Sequence, residues 1–213
     1  GNTGNTGSTG LQGGAGSIDS YTLISGLNNE KVGEDDEDVE VAGIEIEASE
    51  GSDIMITAVK LVFDEGDATS DFDDYASEVS ITLDGEEFGR VDADRFDDDN
   101  NWTSTITLDS GAIIEESDVL DLVVQVSGIN NLDSGDAGDT WTVDFRSVRF
   151  TDALGASISE DPGTGTRTFS FESFATAANA ELKINSDDGD INDSRIIQID
   201  SNNDTDGDRK AHV

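Results

Sequence analysis

The sequence predicts an all-β fold, a sandwich of two sheets with Greek-key connections. Apolar residues recur at every second position in nine short runs, which is the pattern of strands with one face in a core. Turns rich in Gly, Asp and Asn separate these runs, and those residue types favour turns over regular structure. No segment shows the periodicity of a long amphipathic helix.

The first strands surround an acidic turn at residues 34–38. The opening strand contains Tyr21, and the alternation of apolar and polar residues resumes after the turn at Val39. The phase of this second run slips by one residue at Ala42-Gly43. A slip of that size at a glycine predicts a β-bulge.

The middle of the chain predicts a central strand and a tight hairpin. Residues 53–63 are apolar at odd and even positions alike, so we expect a central strand that is covered on both faces. The alternation from Val79 to Leu83 runs into Asp84-Gly85, which is a strong signal for a two-residue type I′ hairpin turn.

Further strands are predicted in the second half of the chain, around Ile106, over Leu120 to Val126, over Trp141 to Phe150, and at Phe169 to Phe171. A second phase slip, near Ser147, divides the run that begins at Trp141. Arg146 and Arg149 flank this slip, and we expect them to pair with acidic residues on neighbouring strands. A loop around Pro162 precedes the last of these strands.

Four segments follow from these patterns. Residues 1–17 repeat a Gly-Asn-Thr unit and predict a flexible linker, and residues 18–174 form the β-sandwich domain. Residues 175–180 predict a short linker, and residues 181–213 repeat the layout of the opening strands, which predicts the start of a second, similar module. The alternatives for this last segment are a C-terminal extension and a strand donated to a neighbouring subunit. Because the chain begins at Gly1 without Met, we expect it to be a segment of a longer protein.

The charge of the chain disfavours several classes of partner. Its 49 acidic residues face 11 Lys and Arg residues, which gives a formal net charge of −38. Nucleic acids and anionic membranes are therefore poor partners, because phosphate contacts need clustered Lys and Arg. Self-repulsion of this size predicts a need for high salt or divalent cations. The sequence has no cysteine, no stretch long enough to span a membrane and no signal peptide.

Calcium is the ligand that the Asp-rich turns predict, because Ca²⁺ binds several carboxylate and amide oxygens at once. The best match is the N-x-D-x-D-G sequence of residues 202–207, although Val213 stands where a calcium loop places its closing Glu. The predicted ligands in this turn and in two further clusters are Asn202, Asp204, Asp206, Asp187, Asp188, Asp190, Asp97, Asp98 and Asp99. A fourth cluster lies at Asp71 to Asp74. The alternative for all four clusters is a solvated acidic surface.

No catalytic constellation is recognisable, so we expect a protein that is not an enzyme. His212 is the one histidine, which rules out a His-based triad and a multi-histidine metal site. With 49 carboxylates, no glycosidase-like pair can be singled out. Trp141 is expected in the core, whereas Trp102 has polar neighbours and is the better candidate for an exposed, sugar-stacking ring. A carbohydrate-binding module is therefore an alternative function.

The order of these features resembles the Ig-like modules of secreted surface-layer or adhesin-type proteins of bacteria and archaea. The resemblance rests on a Gly-rich linker, the strand sequence EDVEVAGIEIEA, the run DLVVQVSGINNLDSGDAGDTWTVDF, and the tail TRTFSFESF before a renewed module. It implies tandem Ig-like domains, a cell-surface or extracellular location, and a structural or adhesive role, often with calcium. The implied partners are other surface-protein modules, copies of the same chain, or glycans. A filament subunit that assembles by strand donation is the remaining alternative.

Overall fold

The computed structural model describes residues 10–173, together with the backbone of residues 182–184 and 195–197. The chain divides into two compact units, Gly1–Ser173 and Phe174–Val213. The strands of the first unit are β1 (Ile18–Leu23), β2 (Glu30–Gly33), β3 (Val39–Ala48), β4 (Ile54–Glu65), β5 (Ala76–Leu83), β6 (Glu86–Asp92), β7 (Thr103–Thr107), β8 (Ile113–Ile114), β9 (Val119–Gly128), β10 (Thr140–Asp152), β11 (Ser157–Glu160) and β12 (Thr166–Glu172).

These strands form two sheets. Sheet I has the order β1-β3-β9-β5-β6, and sheet II has the order β2-β12-β10-β4-β7, with β11 beside β10 and β8 beside β4. The chain passes between the sheets repeatedly, since β3 and β5 belong to sheet I and β4 to sheet II. The prediction of an all-β, Ig-like sandwich is confirmed. The helices among the described residues are three short 3-10 turns, and none is long or apolar enough to cross a membrane.

Two local predictions are confirmed by the backbone. Asp84 and Gly85 have φ angles of 49° and 80°, as a type I′ turn requires, and they join β5 to β6. The phase slip near Ser147 is a bulge in which Arg146 is the extra residue of β10 opposite β4. This bulge keeps Phe145 and Val148 in the core on either side of the slip.

The bulge predicted at Ala42-Gly43 lies just before these two residues. The register of β3 against β9 shifts between Glu40 and Ala42, so Val41 is the extra residue. Gly43 has another role, because a Cβ atom there would lie 2.7 Å from Cδ1 of Ile24. The glycine therefore permits the close approach of a side chain, and the bulge precedes it.

The prediction for residues 53–63 is right in position and wrong in burial. Strand β4 lies inside sheet II, between β10 and β7. Its inner face is buried, but on its outer face Met55 and Val62 are half-buried and Lys60 is exposed. The outer face of sheet II is therefore not covered by a further layer within the first unit, although Met55 and Val62 on this face are apolar.

The core between the sheets is rich in aromatic rings. Trp141 of β10 is completely buried and lies edge-on to Phe72 and Tyr75, with ring centroids 5.0 and 5.6 Å apart. Phe63 stacks on Phe72 at 4.4 Å. The hydroxyl of Tyr75 donates to Asp139 Oδ2 at 2.7 Å. Burial first, and then this hydrogen bond, raise the pKa of the Tyr75 phenol.

The segment predicted as a flexible linker, residues 1–17, is attached to the sandwich over its last part. Leu11 is 2% exposed, and the main-chain N–H of Gln12 donates to Asp53 Oδ2 at 2.8 Å. Gly13 has a φ angle of +104° and approaches Gly51 so closely that a Cβ atom would lie 2.3 Å from its carbonyl oxygen. The linker prediction is therefore wrong for residues 10–17, and residues 1–9 lie outside the described part.

In the second unit, β13 (Leu182–Ile184) pairs antiparallel with β14 (Arg195–Ile197). In the first unit β1 pairs with β3 in the same sense. This is the pairing that the predicted repeat of residues 181–213 requires, and the repeat itself stays a prediction. The linker predicted at residues 175–180 lies outside the described residues.

Candidate functional site

The first unit joins an early strand to its last strand by a parallel pairing. Strand β2 lies beside β12, with Glu30 opposite Phe169 and Gly33 opposite Glu172. Main-chain hydrogen bonds extend the contact at both ends, from Asn29 to Thr168 at 2.6 Å and from Glu34 to Glu172 at 3.0 Å. The other strand pairings described in this unit are antiparallel.

The chain enters and leaves this unit at opposite ends of β9. Ile18 begins β1 and lies opposite Ala48 of β3. The preceding residue of β3, Glu47, lies opposite Val119, which begins β9. Strands β1 and β2 then run in the same direction, and the turn after β2 meets the end of β9, where the N–H of Gly128 donates to Asp36 at 2.9 Å. Strand β12 also ends here, because its last residue, Glu172, lies opposite Gly33 at the end of β2. Since β9 has 10 residues, entry and exit are separated by about 30 Å at roughly 3.3 Å per residue.

This topology determines how tension is distributed. Force on the N-terminal side acts first on the contacts of residues 10–17 and on the pairing of β1 with β3. Once these contacts have separated, it pulls β2 towards the entry end, while force on the C-terminal side pulls β12 towards the exit end. The two strands are adjacent, so the force acts along both strand axes and across all their hydrogen bonds at once. In a hairpin opened from its free end, by contrast, the hydrogen bonds break one after another. The paired strands β2 and β12 are therefore loaded in shear.

Most of the predicted calcium ligands lie outside the described residues, namely Asn202, Asp204, Asp206, Asp187, Asp188 and Asp190. The remaining three, Asp97 to Asp99, begin a short 3-10 turn. The Asp97 side chain accepts from the N–H of Asn100 at 3.0 Å, while Asp98 and Asp99 are exposed. Within the described residues, no three carboxylates are grouped so that they hold a metal ion.

The fold brings two of the acidic clusters together, which the sequence did not predict. The pKa of Asp71 is raised by desolvation first, and then by the negative charges of Asp98, Asp73, Asp74 and Asp97. Asp71 is therefore an electrostatic neighbour of Asp97 and Asp98 despite their separation in the chain. Their mutual repulsion is relieved by any cation that binds between them or by screening salt.

The ring predicted as an exposed, sugar-stacking surface, Trp102, does not have that exposure. Trp102 is half-buried against the core, and its ring lies 5.9 Å from that of Trp141 at an angle of 76°. The ring of Tyr75 is buried, and Tyr21 is half-buried with its hydroxyl directed at Glu160. The expectation that Trp102 is exposed is therefore wrong. Trp102 directly precedes β7, and its indole packs against the edge of the core.

A network of charges fixes the outer face of sheet I. The guanidinium of Arg90 on β6 contacts Asp38 at 2.7 Å, Glu78 at 2.8 Å, and Glu87. The hydrogen bond to Glu87 is the largest of the effects that raise the pKa of Arg90. Since Asp38 immediately precedes β3 and Glu78 belongs to β5, one side chain connects three strands of the sheet.

The outer face of sheet II carries a group of three cations. Lys60, Arg146 and Arg149 lie there with hydroxyl side chains from β7, β10 and β11. Arg146 pairs with Asp144 of its own strand at 3.1 Å, and Arg149 donates to the Ser159 hydroxyl at 3.2 Å. The predicted pairing with acidic residues on neighbouring strands is therefore wrong for both arginines.

Comparison with known proteins gives no family for this chain. No family model matches it, and no curated protein matches it. Among solved structures, a cohesin module from a family 33 glycoside hydrolase of Clostridium perfringens is 9% identical, with a TM-score of 0.36 over 73% of this chain and 98% of that one. A cohesin–dockerin complex from Clostridium thermocellum gives 13% identity and a TM-score of 0.33, over 75% and 99%. A Nocardia farcinica protein with an immunoglobulin-like fold gives 12% and 0.27, over 72% and 98%.

Proposed function

We propose that the first unit is a non-enzymatic, load-bearing structural module of an extracellular surface protein. The observation that carries this proposal is the parallel pairing of β2 with β12 in a sandwich whose chain enters and leaves at opposite ends. A module of this kind transmits tension through its terminal strands and protects the strands between them. Its partners are other modules of the same protein or further copies of the chain. The location follows from the resemblance to surface-layer and adhesin-type modules.

The interior supports a structural role. The buried side chains between the sheets form one continuous hydrophobic cluster, from Val32 of β2 to Phe171 of β12. The two strands that receive the load therefore belong to the same core as the central strands. Close-packed protein cores transmit strain.

The proposal predicts a strong dependence of unfolding force on the direction of pulling. Tethers attached before residue 10 and after residue 173 should separate β1 from β3 and then shear β2 from β12. Tethers attached through Ser77→Cys and Asp92→Cys should open the hairpin of β5 and β6 from its free end, and the chain has no other cysteine. In single-molecule force spectroscopy we expect the terminal geometry to need several times the force of the hairpin geometry. Equal forces would refute the load-bearing role.

We further propose that cations stabilise the chain by reducing the repulsion among its acidic clusters, with Ca²⁺ as the specific ligand of the Asp-rich turns. The convergence of Asp71 with Asp97 and Asp98 supports a benefit from cations. Ligands that bind the folded state alone raise its stability in proportion to the logarithm of their concentration.

This proposal predicts a specific response in thermal unfolding of the full chain. In low salt with a chelator the midpoint should be lowest. Millimolar Ca²⁺ should raise it more than millimolar Mg²⁺, because flexible oxygen clusters suit the larger ion. If molar KCl raises the midpoint while Ca²⁺ and Mg²⁺ act alike, the acidic turns are a salt-adapted surface and the calcium proposal fails.

A further inference from the structure

Three cations, Lys60, Arg146 and Arg149, lie close together on the outer face of sheet II, and Arg146 is paired with Asp144 at 3.1 Å. We call this surface the basic face and define it by Lys60, Arg146, Arg149, Thr105, Ser147 and Ser159. Two adjoining shallow depressions share Lys60, Ser147 and Arg149, and the other residues that line them are Arg146 and neutral residues. In a chain with 49 acidic residues, a concave surface lined by cations and hydroxyl groups is a marked local reversal of charge.

Two β-bulges produce this surface. Arg146 is the extra residue of β10, and on β4 the register also shifts, because Ala58 lies opposite Arg149 and Ile56 opposite Phe150. Without the first bulge, strict alternation from Phe145 would direct Arg149 into the core. Bulges commonly redirect side chains at binding sites.

Two of the three cations of the basic face are not neutralised by an ion pair among the described residues. The ion pairs of the described residues involve Lys31, Arg90 and Arg146. Lys60 and Arg149 make none, and Arg149 is held in place by the Ser159 hydroxyl. Asp144 neutralises Arg146, and Lys60 also lines a neighbouring depression on the side of β7, together with Asp94, Arg95 and Asp97.

We propose that the basic face binds a carboxylate-bearing polysaccharide, a polymer of uronic acid. The guanidinium of Arg149 and the ammonium of Lys60 are donors for carboxylates, and the hydroxyls of Thr105, Ser147 and Ser159 are donors and acceptors for sugar hydroxyls. These residues come from four adjacent strands, β7, β4, β10 and β11. At about 4.8 Å between strands, the face is about 14 Å wide and suits an extended chain laid across the sheet.

Other anionic partners fit this surface less well. A protein interface has an apolar or aromatic centre, whereas the apolar side chains lining the two depressions are the half-buried Val62 and the buried Ala58. A highly sulfated glycan carries more charge per sugar than two unpaired cations neutralise. The acidic surface of sheet I does not repel the ligand strongly, because charges are screened over about 8 Å at physiological ionic strength.

Binding of the full chain to immobilised polymers at physiological salt tests the proposal. The polymers are polygalacturonate, heparin, neutral dextran and poly-L-glutamate. We expect binding to polygalacturonate above all others, and a loss of about tenfold or more in affinity for the double variant Lys60→Gln with Arg149→Gln, because charge-assisted hydrogen bonds are lost. Lys31→Gln is the matched control, since Lys31 is exposed on β2 of the same sheet but outside the basic face, and it should leave the affinity unchanged.

Each other outcome overturns the assignment. Binding to poly-L-glutamate alone would make the partner an acidic polypeptide, and a preference for heparin would make it a sulfated glycan. Absence of binding to every polymer, or binding that the double variant does not reduce, would show that the basic face is not a glycan site. The single variant Lys60→Gln provides the same readout if the double variant does not fold, which its thermal unfolding reports.

Discussion

Replacing Trp141 with alanine is expected to destabilise the first unit by about 3–5 kcal/mol, the range for removing a buried aromatic side chain. The indole is 0% exposed and touches the rings of Phe72, Tyr75 and Trp102, with centroids 5.0, 5.6 and 5.9 Å away. Its Nε1 has no hydrogen-bond partner within the described residues, so the loss comes from packing. A loss of this size is a large part of the stability of a typical domain.

Urea unfolding followed by far-ultraviolet circular dichroism measures this loss at a fixed salt concentration. Trp102→Ala is the control, because Trp102 has the same side chain at the edge of the same cluster and is half-buried. We expect a clearly smaller loss for this control. Equal losses for the two variants would mean that the aromatic cluster is not centred on Trp141.

The sequence predicted the parts of the fold that depend on local pattern. The period-two alternation found the long strands, and Asp84-Gly85 found the hairpin turn, because a positive φ at both positions limits the residues allowed there. The bulge at Arg146 was visible as a change of phase. In each case the signal lies within about ten residues of the chain.

The parts that were missed depend on contacts between distant residues. Strand β2 has four residues and one buried side chain, Val32, so it has no pattern of its own, and its partner β12 lies at the other end of the unit. Leu11 is a single apolar residue in a Gly-rich tract, yet it is buried in the domain. No alternation predicts such contacts, because they are set by the path of the chain through the two sheets.

The charged surfaces show the same limit. The clusters at Asp71 and at residues 97–99 were each visible in the sequence, but the proximity of Asp71 to Asp97 and Asp98 appears in the folded chain alone. Arg149 was expected to meet a carboxylate, since acidic residues are so frequent. The strand beside it, β11, places Ser159 opposite instead, and this one register pair leaves the cation available.

A comparison of Val32→Ala with Val79→Ala tests the load-bearing account most directly. Both valines are 0% exposed in the same core, one on β2 and the other on β5 of sheet I. We expect each substitution to reduce the equilibrium stability by about 1–3 kcal/mol. Under tension applied through the chain termini, however, Val32→Ala alone should lower the unfolding force substantially, because forced unfolding depends on the barrier along the pulled path. If the two variants lower the force equally, the pairing of β2 with β12 does not bear the load.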